Sequence, residues 1–151
     1  MIKVDVANCQ PRMAIDTNRL VQTTKAILAE HGPVRCEISL TVVDDAAMHR
    51  LNRQYLQHDY PTDVLSFPLE QGAGRLEGEV IVNADMACRA AARYGWSAEN
   101  ELLLYVIHGL LHLVGFDDHD AMDRKSMRDQ EDRFMGQFGK AIVAPISRPD
   151  D

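Results

Sequence analysis

The chain has 151 residues, 46% of them hydrophobic, and a net charge of −7. That is enough for one domain with a full apolar core. It holds no run of about 18 apolar residues, so no membrane span is expected. The negative balance argues against a protein that coats nucleic acid nonspecifically. Cys9, Cys36 and Cys88 are widely spaced and include no Cys-x2-Cys pair, which points to reduced thiols. The N-terminus lacks an apolar signal core, so a cytoplasmic protein is expected.

Ile2, Val4 and Val6 alternate with polar residues and predict a first strand. Asp16 can cap a helix from about Thr17 to Glu30, stopped by Gly32-Pro33. Val34 to Val42 alternates cleanly and predicts a half-buried strand. Asp44-Asp45 offers a cap for a helix from about Ala46 to Gln57. After a polar turn, Val64 to Leu69 reads as a strand, and Pro68 within it argues for a sheet edge. Gln71 to Gly74 looks like a hairpin loop, and Glu79 to Asn83 returns as a strand. A helix from about Ala84 to Tyr94 ends at Gly95, and Ser97 can cap the next one. A last helix spans about Ala121 to Phe138. Its Arg124, Lys125, Arg128 and Arg133 are interleaved with acids and read as a solvated face. The tail from about residue 140 is expected to be loose. The order βαβαββααα predicts an α+β fold, a single domain with helices packed on a mixed sheet.

The chemistry concentrates in Leu102 to His119, LLLYVIHGLLHLVGFDDH. Its first part is almost wholly apolar and predicts a helix buried on most sides. His108 and His112 interrupt it four residues apart. At 100° per residue the offset is about 400°, so both rings leave one face, about 6 Å apart along the axis. Such a pair can hold two corners of a tetrahedral metal site. Gly115 ends the helix cheaply, and the chain can fold back to offer Asp118 or His119 to the same ion. The spacing resembles the metzincin zinc motif except at the second position. There a metalloprotease needs a glutamate base, and this chain has Gly109.

HGLLHLVGFDDH also resembles the HGxLHLxGYDH signature of the YbeY family of metal-dependent endoribonucleases. Two further blocks agree. Leu51-Asn52 and then Asp59 to Pro68 resemble the family's LN…D-x-PT(N/D)VLSFP, and Gly78 to Val82 resembles its G(D/E)I-x-I strand. The resemblance implies a zinc-dependent single-strand endoribonuclease of ribosomal RNA maturation, at the 3′ end of the 16S RNA, and of ribosome quality control. It also implies one Zn²⁺ per chain, the small ribosomal subunit as setting, and an Era-type GTPase as a partner.

The chain departs from the family pattern twice. The family's third ligand is a histidine ten residues after the first; here that position is Asp118, with His119 one further on. Ungapped alignment of Met127 and Glu131 with the family's Met-x3-Glu favours Asp118 as the third ligand over His119. The family's arginine before its PT motif falls on Leu56. Arg53, three residues earlier, is the first candidate for the missing catalytic cation. His58, Thr62 and Ser66 are candidates for substrate contacts. Two other functions remain open. One is a zincin-like peptidase drawing a base from Glu99 or Glu101, and the other is a non-catalytic assembly factor with a structural zinc.

Overall fold

The structure is a computed structural model and describes residues 1–140. The expectation about the tail falls on residues outside that range. The order is β1 (Ile2–Asn8), α1 (Thr17–His31), β2 (Arg35–Val43), α2 (Asp45–Leu56), β3 (Val64–Gly72), β4 (Arg75–Asn83), α3 (Ala84–Tyr94), α4 (Ala98–Leu113) and α5 (Ala121–Phe138). The four strands form one mixed sheet, ordered β1-β2-β4-β3. β1 and β4 run parallel to β2, and β3 pairs antiparallel to β4. The fold is α+β, with the element order read from the sequence.

Strand alternation divides the core between the two faces of the sheet. On one face Cys36, Ile38, Leu40 and Val42 of β2 join Leu76, Val80 and Val82 of β4. They are covered by α1, α4 and α5, with Leu28, Leu103, Ile107, Leu110 and Phe134 as anchors. On the other face Val43, Leu65 and Ile81 pack under Met48 of α2. Helix α4 is buried almost all round, which is why its sequence shows little polar face.

Two boundaries differ from the sequence reading. β3 runs on to Gly72 and β4 begins at Arg75, so the hairpin loop is only Ala73-Gly74. Both loop residues have positive φ, +54° and +74°, as a two-residue hairpin turn requires. Gly78 lies within β4, as the resemblance to the family strand implies, and it does so for a packing reason. A Cβ there would stand 3.0 Å from Cδ1 of Leu113, so the glycine lets α4 approach the sheet. Pro68 sits on the edge strand, and the register shifts between Pro68 and Glu70.

Candidate metal centre

The two histidines are fixed by the helix that carries them. Ser97 caps α4, its hydroxyl accepting from the amide of Asn100 at 3.0 Å. At the other end Gly115 takes φ +108°, and the amide of Phe116 donates back to the carbonyl of Leu111 at 2.9 Å. That left-handed glycine cap turns the chain sharply back. It carries Asp118 to the face from which His108 and His112 project.

Nε2 of His108 and Nε2 of His112 lie 3.1 Å apart. Oδ2 of Asp118 is 3.7 Å from the second and 4.0 Å from the first. Ligand atoms of the three residues fall within 4.8 Å of one another. A tetrahedral zinc with bonds of about 2.0–2.1 Å has ligand-to-ligand edges of about 3.3–3.4 Å, so small adjustments close the set. His119 stands apart. It is 79% exposed, with Nδ1 3.3 Å from Asp117.

Glu131 of α5 orients the first ligand. Its carboxylate is buried, and Oε2 lies 2.6 Å from Nδ1 of His108. The imidazole N–H donates to that carboxylate, which leaves Nε2 with its lone pair toward His112 and Asp118. The other carboxylate oxygen, Oε1, accepts from Nε of Arg128 at 3.2 Å. Burial opposes charge on His108. The hydrogen bond that His108 donates to Glu131 and the nearby charges of Glu131, Asp63 and Asp118 together outweigh it, so the pKa is raised. A site that gathers so much negative potential around two ring nitrogens suits a cation. The donor set, the spacing and the oriented tautomer fit a zinc ion held by three protein ligands, with a position left for water or substrate. Glu131 was legible only as a family spacing, because its role depends on how α5 packs against α4.

His108 and Asp118 of the triad line a cleft of about 560 Å³ whose walls also include Asp63, Tyr94, Tyr105 and Glu131. Arg124, Lys125 and Arg128 line it as well. These α5 cations read as a solvated face in the sequence, and the structure turns them toward the site.

The other candidates are placed differently. Ser66 donates its hydroxyl to the carbonyl of Gly109 at 2.9 Å, tying β3 to α4. Thr62 donates to the carboxylate of Asp63 at 3.3 Å, next to the cleft wall. The ring of His58 stacks on that of Tyr60, with centroids 5.2 Å apart. Arg53 is 73% exposed on α2, which covers the opposite face of the sheet, and its guanidinium lies 4.0 Å from Asp59. Leu56 is exposed at the end of the same helix.

Comparison with known proteins gives a consistent result. A family model described as Endoribonuclease YbeY matches residues 5–139. A relative of that name from Rhodopirellula baltica is 41% identical over 134 residues, covering 87% of this chain and 68% of its own length. Another, from Pelotomaculum thermopropionicum, is 39% identical over 88% of this chain and 95% of its own. The solution structure of a Thermotoga maritima protein shares the fold, with a TM-score of 0.59 and 24% identity over 98% of this chain and 100% of that one. With nearly the whole described fold inside the matched span, the chain belongs to the YbeY endoribonuclease family.

Proposed function

We propose that this chain is a zinc-dependent endoribonuclease that cuts single-stranded RNA. Its role is in ribosomal RNA maturation at the 3′ end of the 16S RNA and in ribosome quality control. The observation that carries the reading is the convergence of His108, His112 and Asp118, the first and last of them at the wall of an open cleft, in a chain of an endoribonuclease family. In this reading residues 1–151 form one catalytic domain in the cytoplasm. The substrate lies on the small ribosomal subunit and an Era-type GTPase is a partner, with family membership as the support.

Zinc held there supplies a Lewis acid for a phosphoryl oxygen and for the charge that builds on it. The chain's own residues prepare the place. Glu131 accepts the hydrogen bond of the Nδ1–H of His108, keeps the proton on that nitrogen and so presents Nε2. Asp118 contributes a negative charge where the family has a neutral ring, which weakens the pull of the centre on an anionic substrate. Side-chain cations then carry more of the phosphate contact. His58, Thr62 and Ser66 are read as substrate-side residues on the stretch leading from α2 into β3, whereas Arg53 stands on the helix that covers the other face of the sheet and is the weaker candidate for the cation.

The peptidase reading lacks a base. A Cβ on Gly109 would stand 2.8 Å from Oγ of Ser66 and 2.8 Å from Cγ1 of Val80, so no glutamate fits there. Glu101 is fully buried and accepts from the indole of Trp96 at 2.7 Å. Glu99 pairs with Arg19 and Lys140.

The deciding experiment combines metal analysis with cleavage of a short single-stranded RNA. About one zinc per chain is expected. Cleavage should vanish with chelator or in His112→Ala, and zinc should restore the parent. Zinc-loaded protein that leaves RNA intact, or that hydrolyses peptides in a His112-dependent way, overturns the reading.

A further inference from the structure

We infer that α5 supplies the substrate-side cations, with Arg124 as the phosphate-binding residue beside the metal centre and Lys125 and Arg128 flanking it. The inference rests on the endoribonuclease reading and adds to it the residue that grips the RNA backbone.

Ala121, Arg124, Lys125 and Arg128 are spaced i, i+3, i+4 and i+7 along α5, and all four line the cleft. That spacing makes one continuous helix face. The same cleft holds the carboxylates of Asp63, Asp118 and Glu131. A polyanion entering it meets those charges, and a single divalent ion offsets only part of them. The α5 stripe supplies the remaining positive charge beside the triad.

The three cations are not equivalent. Nζ of Lys125 is tied to Asp129 at 2.9 Å, and Arg128 is engaged with Glu131. Among the described residues Arg124 has no ion-pair partner. Of the three cations that line the cleft, Arg124 is therefore the one whose guanidinium is not already committed to a carboxylate. Its guanidinium presents a planar fork of donors, which matches the two free oxygens of a phosphodiester. Leu56 offers no charge, and Arg53 stands on the helix that covers the other face of the sheet, near Asp59. The geometry therefore favours α5 over α2 as the source of the cation.

The test uses the full-length, zinc-loaded protein and a fluorescent single-stranded DNA oligonucleotide, a probe that presents the phosphates without the 2′-OH and whose intactness is checked on a gel. Anisotropy is read over a salt series. Arg124→Ala should weaken binding roughly tenfold at low salt and reduce the slope of log K against log salt by about 0.7, the value for one lost phosphate contact on a single strand. Zinc content and Tm should be unchanged. Arg124→Lys keeps the charge and should keep the slope. If Arg124→Ala lowers Tm, the lysine variant decides, and loss of slope there overturns the proposal. An unchanged slope in Arg124→Ala overturns it as well, as does a loss that appears in Arg53→Ala instead. RNA cleavage in the same preparations separates the two levels. Parent and Arg124→Ala cutting equally well overturns this inference alone, whereas a parent that neither binds nor cuts overturns the endoribonuclease reading with it.

Discussion

Asp118 stands where the family carries a histidine, and its neighbour His119 could in principle have taken over. The geometry separates them, since Asp118 reaches toward both ring nitrogens while His119 points to Asp117 in solvent. Asp118→Ala should therefore lower zinc affinity by roughly tenfold or more, the order expected when a three-ligand site loses a member. His119→Ala should change it little. A competition titration against a chelating dye reads both, and the opposite ranking would move the ligand to His119. Gly109 gives a second residue-scale prediction. The contacts of 2.8 Å that its Cβ would make are with Ser66 and Val80 of the sheet, so Gly109→Ala should cost about 1–3 kcal/mol in a urea melt. At this scale the His108–His112 pair was legible because helical spacing is local. Glu131 and the α5 cations were not, because which face of α5 turns inward depends on its packing against α4.

At the scale of elements, the caps were the most readable features. Asp16, Asp44 and Ser97 each accept from an amide three residues on, as side chains of those types do at a helix start. Gly95 and Gly115 end their helices with positive φ. The misread hairpin falls where the backbone uses a residue without the usual signal, since Ala73 takes φ +54° at a position where glycine or asparagine is the common choice. Gln57 likewise takes φ +58° to close α2, whose end was read to within a residue. Between α2 and α3, Arg89 makes two hydrogen bonds to Asp45, at 2.6 and 3.0 Å. The arginine holds the Asp45 carboxyl below its ordinary 3.8, against the opposing effect of burial and with help from Asn83. A lowered folded pKa means stabilisation that is fully present above the unfolded value and is lost as pH falls through the folded one. Both side chains are more than a third exposed, so the contribution is small, about 0.5 kcal/mol after screening. Arg89→Ala should show that deficit at pH 7 and lose it on acidification below about 3.8, measured by urea denaturation at both ends of the range.

For the whole molecule, a metal held by His108, His112 and Asp118 would join α4 to the turn that precedes α5, while the core beneath is assembled from side chains alone. Val106, Ile107, Leu110 and Leu111 are fully buried, and each such side chain contributes roughly 1.5–3 kcal/mol. Chelation should therefore leave far-UV dichroism at 25 °C unchanged. If zinc binds the folded chain as proposed, its removal from about 100 times Kd of free ion should lower Tm by roughly 5–10 °C. Loss of the dichroism itself would mark the ion as structural. The list of elements was readable from periodicity, since each pattern is local. The order β1-β2-β4-β3 and the side of the sheet that α2 covers were not, because they are set by long-range pairing. That order also leaves β1 and β3 as open margins of the sheet. A strand margin is a template for another chain, and the two margins are guarded differently. β1 alternates Lys3 and Asp5 with its apolar residues, whereas β3 interrupts its ladder at Pro68 and follows with Glu70. Resistance to aggregation in concentrated solution therefore depends on a few residues at the sheet margins that do not line the cleft, and Pro68 owes its place to what it prevents between molecules.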